Sequence, residues 1–140
     1  MFNPLISSLL RSPLHRLLSK QIMLITYKGR KSGKEYTIPV NYVRDGNTLW
    51  TTSYTQRTWW RNLRGSASVT IQLRGKKVEA IAEVIEDEQA KIEGFMLFLH
   101  KAPGFAQYFK VEIESNGKPN REDVVKASKG RVLVRSQLVK

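Results

Sequence analysis

A chain of 140 residues with 41% hydrophobic content can form one domain with its own core and is too apolar for wholesale disorder. It holds no cysteine, which excludes a disulfide framework and a thiolate metal site and fits a reducing, cytoplasmic setting. Its net charge of +12 lies wholly in residues 1–78, where fourteen Lys/Arg face two Asp/Glu, while residues 79–140 carry ten of each. That asymmetry suggests an anionic partner: nucleic acid, anionic lipid or a multiply charged cofactor.

Residues 2–19 place Phe2, Leu5, Ile6, Leu9, Leu10, Leu14, Leu17 and Leu18 at three- and four-residue spacing, which predicts an amphipathic helix. Ser12-Pro13 marks a fresh start or a kink within it. Arg11, His15, Arg16 and Lys20 decorate the other face, so the helix either packs on the domain or rests peripherally on anionic membrane. No apolar run reaches the roughly 18 residues of a membrane span, and the start lacks the pattern of a secretory signal.

Six strands are predicted after it. The first is 22–28, β-branched and apolar. The second, 35–44, alternates and ends at Asp45-Gly46-Asn47, a hairpin signal that leads into a third at 48–53. Pro39 inside the second strand implies an edge, a bulge or a bend. Residues 58–65 read as a short helix between Thr58 and Gly65, with adjacent tryptophans of which one can face the core and the other a site. Strands over 68–74 and 76–86 flank a turn at Gly75.

Residues 87–101 form a helix capped by Asp87, with Ile92, Phe95, Met96 and Leu99 as its apolar stripe. Ala102-Pro103-Gly104 ends it, and 105–111 continues with aromatics. A polar loop precedes Asn120, which can cap a helix over 121–128, and the last strand is Arg131–Leu138. The expected fold is α+β: a six-stranded, mostly antiparallel barrel-like domain over 1–140, with peripheral helices. Closure of the barrel would remove exposed edges.

The stretch from Tyr27 to Asn41 carries the sharpest chemistry. Gly29 and Gly33 bracket Arg30, Lys31 and Ser32, and Lys34 follows. Glycines let a turn adopt positive φ, and its backbone N–H groups can form an anion nest to which these side chains add donors. A plain hairpin loop with solvated charges is the alternative. The turn lacks the interior length and Lys-Ser/Thr ending of a P-loop. His15 and His100 have no metal spacing and no serine–carboxylate companions. What remains is a basic turn, a Thr51-Thr52-Ser53 strand end and two tryptophans. These suit a flat aromatic cofactor with an anionic tail, which would itself carry the reaction.

With Gly29-Arg30-Lys31-Ser32-Gly33 and Pro39, then Arg44-Asp45-Gly46, then Trp59-Trp60-Arg61-Asn62-Leu63, the chain resembles the deazaflavin-dependent nitroreductase family. That family belongs to the flavin and deazaflavin oxidoreductases with a split β-barrel fold. The resemblance implies coenzyme F420, whose phosphodiester and oligoglutamate tail matches a basic N-terminal half. It places Arg30, Lys31 and Ser32 at the phosphate and tail. It places Tyr36 at a position often basic in the family, and Pro39, Thr51, Thr52 and Ser53 beside the ring. Trp59 and Asn62 fall on the helix that closes over that ring.

Tyr108 matches an aromatic substrate residue and is the candidate catalytic group, as proton donor or substrate contact. Phe105 replaces a hydroxyl-bearing residue and Ala102 an aromatic one, which argues against nitroimidazole activation in particular. The implied activity is hydride transfer from reduced F420 to a small, flat, electron-poor acceptor, a quinone or nitroaromatic. A split-barrel protein that binds flavin mononucleotide is the alternative within the fold. A non-enzymatic binder of nucleic acid or anionic membrane is the alternative outside it, with nucleic acid the less favoured partner. A homodimer is open.

Overall fold

The computed structural model describes residues 22–139. The predicted helix over 2–19, with His15, lies outside them. Within them the strands are β1 Ile22–Lys28, β2 Glu35–Asn41, β3 Val43–Asp45, β4 Thr48–Tyr54, β5 Ala67–Leu73, β6 Lys76–Ile85 and β7 Arg131–Leu138. The helices are α1 Glu88–Lys101, α2 Ala106–Phe109 and α3 Arg121–Ser128, with 3-10 turns at Trp59–Leu63 and Pro103–Phe105.

One curled sheet runs in the order β2-β1-β5-β6-β7-β4-β3, and every neighbouring pair is antiparallel. It has seven strands where six were expected, because the 35–44 segment divides at Tyr42. Its first part pairs with β1, from Lys28↔Glu35 to Ile22↔Asn41. Its last part pairs with β4, through Val43↔Trp50. A single segment thus stands at both ends of the sheet order and brings them together. Full closure is not reached. β2 has β1 on one side only, and Pro39, which has no N–H to donate, sits in this edge strand as its chemistry requires.

The sheet buries both faces. Ile25, Leu49, Leu63, Ile71 and Val134 fill the inside of the curl, joined by Trp59 and Trp60. Phe95, Phe98, Leu99, Val124 and Leu133 fill the layer between the sheet and the helices. β7 therefore reads as a nearly continuous buried run, Val132 to Val134. Two of the three expected caps form: the Asp87 carboxylate accepts from Ala90 N at 2.9 Å and the Asn120 side chain from Asp123 N at 3.0 Å, whereas Thr58 precedes the 3-10 turn without a side-chain cap bond. Phe98, not Met96, completes the fully buried stripe of α1. Gly94 lets that helix approach closely, since a Cβ there would stand 2.2 Å from Leu133 Cδ2 and 3.2 Å from Trp50 Cζ3.

Candidate functional site: a cleft along the open side of β2

Where β2 leaves its second side unpaired, a cavity of about 450 Å³ opens between it and β4. Its base is formed by Pro39, Val40 and Asn41 from β2 and by Thr52, Ser53 and Tyr54 from β4. Arg57 and Trp59 line one wall, and Phe105, Tyr108, Phe109 and Arg131 the other. Such a volume suits a ligand of a few fused rings. Asn41 clasps the two strands at this point. Its amide donates to Thr52 Oγ1 at 2.9 Å, and its carbonyl accepts from Thr52 N at 2.9 Å. Trp59 is held by its indole N–H on Ser53 Oγ, at 2.9 Å.

The basic turn caps the far end of the β1–β2 hairpin. Gly29 N donates to Lys34 O and Gly33 N to Gly29 O, at 2.9 and 2.8 Å, and Gly33 takes φ +71°. A Cβ on Gly29 would stand 2.9 Å from Ser32 Oγ and 3.1 Å from Tyr36 Cε2, so those side chains would have to shift to admit it, while Gly33 needs glycine for its positive φ. Asn62 joins the turn to the tryptophan segment. Its side-chain carbonyl accepts from Arg30 N at 3.0 Å, and its amide donates to Trp59 O at 3.0 Å. The Arg30 guanidinium donates to the carbonyl of Arg64. Ser32 Oγ accepts from Lys34 N at 3.2 Å. Lys31 and Lys34 project into solvent without an ion pair among the described residues.

A row of rings connects turn and cleft. Tyr36 stacks on Tyr27 at 5.7 Å, and Tyr27 meets Trp59 at 6.2 Å. Burial pushes the Tyr27 phenol above its ordinary ionisation range, Tyr36 adds to this, and the cation of Arg57 opposes it.

The expected site residues thus fall into two groups bridged by one. Pro39, Thr52, Ser53, Trp59 and Tyr108 line the cleft, and Arg30, Lys31, Ser32 and Tyr36 belong to the turn or its rim. Asn62 is the bridge. Thr51 is in neither group. It alternates away from Thr52 into the interior, 1% exposed, with its hydroxyl unpartnered.

Both tryptophans are buried, and of the two Trp59 also lines the cleft. Trp59 is 6% exposed and Trp60 5%, because the 3-10 turn lies over the curl with both rings beneath it. Trp60 donates to Tyr54 O at 3.1 Å and lies under the guanidinium groups of Arg61 and Arg64, at 5.5 and 5.0 Å. Sequence reasoning missed Asn41, Arg57 and Arg131. Gly130 just before Arg131, at φ +77°, was the visible turn signal. Among the described residues no group of His, Asp or Glu is arranged for a metal, and His100 Nδ1 lies 3.1 Å from the carbonyl of Gly117.

The chain is by these features a split-barrel protein with a cleft beside β2 and, at the end of a neighbouring hairpin, a basic turn. Solved structures agree on the fold. A conserved hypothetical protein of Mycobacterium tuberculosis aligns over 91% of this chain and 84% of its own at 16% identity, with TM-score 0.60. An FAD-binding protein from Mesorhizobium loti aligns over 92% and 91% at 13% identity, with TM-score 0.59. The FAD and heme binding protein from Mycobacterium smegmatis aligns over 93% and 71% at 15% identity, with TM-score 0.53. At such identities these similarities speak for the fold alone. No curated protein matches the sequence. Residues 11–112 match the model of the F420H(2)-dependent quinone reductase family, and the chain belongs to that family. It is accordingly an oxidoreductase that works with coenzyme F420.

Proposed function

We propose that the cleft along β2 receives the deazaflavin ring, that the turn over residues 29–34 binds its phosphodiester and glutamate tail, and that a quinone enters beneath α2. The observation that carries this is Asn62. It ties the backbone of the basic turn to the backbone of Trp59 at the cleft wall, so tail site and ring site are held as one unit. The residues fit the group: the cleft offers flat rings and hydroxyls, the turn packs closely at Gly29 and takes a positive φ at Gly33, and two lysines beside it make no ion pair among the described residues.

When bound and reduced, the deazaflavin supplies a hydride. The protein's part is then binding, orientation and charge. Lys31 and Lys34 attract the tail. Arg30 and Ser32 hold the turn's shape through the Arg64 carbonyl and Lys34 N. Thr52 and Ser53 are fixed by Asn41 and Trp59 and so present oriented hydroxyls. Tyr108, 71% exposed on α2 at the cleft, contacts the acceptor and can deliver a proton. Nitroaromatics are a second acceptor class under the same reading.

Flavin mononucleotide has the ring and one phosphate but lacks the glutamates. Side-by-side titration by fluorescence quenching should therefore show tighter binding of F420, and quinone should then reoxidise the reduced form. Tighter flavin binding would refute the assignment, as would steep salt dependence toward DNA with no cofactor bound. We take the chain as one split-barrel domain. Among the described residues no helix is long and apolar enough to cross a membrane. Peripheral contact of segment 2–19 with anionic lipid is a separate reading that rests on its leucine stripe.

A further inference from the structure

We propose that Arg131 is the electrophile of the acceptor site: its guanidinium stabilises the negative charge that appears on the quinone oxygen during reduction. This rests on the placement of the acceptor in the cleft given above. A quinone that has taken up a hydride, two electrons and one proton, is a hydroquinone monoanion. It becomes hydroquinone only when a second proton arrives from Tyr108 or water. The rate therefore depends on what faces that anion before protonation.

Arg131 has the required charge, position and rigidity. Among the described residues the cleft is lined by two cations, Arg57 and Arg131, and by no acid. Arg57 is exposed, and among the described residues no ring or hydrogen-bond partner fixes its guanidinium. Arg131 is half-buried, and its guanidinium carbon stands 4.6 Å from the Phe109 ring centre and 5.2 Å from that of Tyr54. Its Nη1 donates to Ala127 O at 2.9 Å. The backbone beneath is fixed as well. Gly130 O accepts from Thr55 N at 3.1 Å, and Arg131 O accepts from Lys91 Nζ at 3.3 Å.

No carboxylate pairs with this cation among the described residues, although Arg64, Arg121 and Arg135 each have a glutamate. Among the described residues, one of its five N–H donors has a hydrogen-bond acceptor. Two rings and the Ala127 carbonyl repay part of this half-buried guanidinium's desolvation, and no anion among the described residues repays the rest. An anionic oxygen arriving in the cleft supplies the missing partner. Arginine suits this task because it stays charged throughout the working pH range.

The test compares wild type, Arg131→Met and Arg131→Lys, each with F420 bound. First, a naphthol serves as a stable stand-in for the hydroquinone, its ionisation followed by absorbance. Wild type should favour bound naphtholate over naphthol by about tenfold relative to free solution, a shift of about one in pKa. Arg131→Met should lose that preference and Arg131→Lys keep part of it. Second, turnover is measured over quinones whose hydroquinones differ in acidity. Arg131→Met should slow the quinones of least acidic hydroquinones by about ten- to a hundredfold and the most acidic ones much less.

Affinity for F420 should stay within about twofold, because Arg131 packs on Phe109 of α2, on the side where the acceptor enters, and the tail is held at the turn. Because Arg131 also ties β7 to α3 through Ala127, melting temperature is recorded for each variant. Arg131→Ala is further assayed with added ethylguanidinium, which should restore turnover by returning the cation alone. Loss of F420 affinity in step with turnover, equal slowing of all quinones, or an unchanged naphthol ionisation would each overturn the role. If wild type oxidises reduced F420 with none of the quinones, the functional reading itself falls and this inference with it. If it does and Arg131→Met keeps the wild-type acidity dependence, only the role of Arg131 falls.

Discussion

Arg30 and Lys31 are neighbours in the sequence with the same charge, yet the structure predicts different consequences for removing them. Lys31 is exposed and makes no ion pair among the described residues, so Lys31→Ala should leave the melting temperature unchanged. Its cost should appear in cofactor affinity. A charge-assisted hydrogen bond is worth about 1.5–3 kcal/mol, and an exposed site loses part of that to screening over a Debye length of about 8–10 Å. Affinity for F420 should fall about tenfold, or 1.4 kcal/mol. The difference should shrink as salt rises and should nearly vanish for a deazaflavin cut back to the ring and ribityl chain. Turnover at saturating cofactor should hold, because the tail is remote from the hydride. Arg30 is committed to the Arg64 carbonyl. Arg30→Ala should therefore lower stability by about 1 kcal/mol in a denaturant titration, as well as weakening binding. Fluorescence quenching with both cofactor forms, at low and high salt, reads all of this. Unchanged affinity of Lys31→Ala for full-length F420 at low salt would mean that the tail lies elsewhere and that the turn is a plain hairpin.

Trp59→Ala should cost about 3–5 kcal/mol of stability, since the ring is buried and bonded to Ser53; a stable variant that merely binds F420 less well would contradict its place in the core. Asn41→Ala removes both bonds to Thr52 and should cost about 2 kcal/mol, at about 1 kcal/mol per bond, with weaker cofactor binding as the strands part; intact binding would show that the clasp does not shape the cleft. Gly94→Ala drives a methyl against the fully buried Leu133 and should lower stability by about 1–3 kcal/mol, which a denaturation midpoint at the wild-type value would disprove. Tyr27 binds its proton more tightly folded than unfolded, so its contribution is complete below about pH 10 and is lost as pH rises beyond it. Tyr27→Phe should flatten that alkaline decline, and parallel slopes in the two proteins would count against the burial argument.

The parts of the fold that were legible are those with a local physical signature. Asp45-Gly46-Asn47 and Gly75 made hairpins, and Gly46 and Gly75 take φ +63° and +83°. Asp87 and Asn120 capped helices as side chains with a short oxygen arm do. Strand division at Tyr42 had no such signature, because alternation tells which face a residue takes and not which neighbour its strand pairs with. The tryptophan pair was legible in part: Trp59 lines the cleft and Trp60 does not, yet both rings are buried. Adjacent positions on a helix point to different sides, but a single 3-10 turn laid over the curl has protein beneath both. Arg131 was hidden because its site depends on Tyr54 and Phe109, far away along the chain.

The charge asymmetry was informative about kind and poor as a locator. All the excess lies in the half that contains the turn, which invited one explanation for all of it. The ladder separates those charges. Leu24 pairs with Gln72, so Arg74 stands level with Ile22, at the opposite end of β1 from the turn. At about 3.4 Å per residue, six steps put roughly 20 Å between Arg74 and the turn. Arg44 and Lys76 share that far end, around a second cavity that also includes Leu73 and Leu138. A ligand whose tail is held by Lys31 and Lys34 cannot use the same anionic groups to neutralise Arg44, Arg74 and Lys76 as well. The net charge of the half therefore overstates the charge presented at the tail site. A salt titration of cofactor binding should be judged against the few cations of the turn, not against the whole excess.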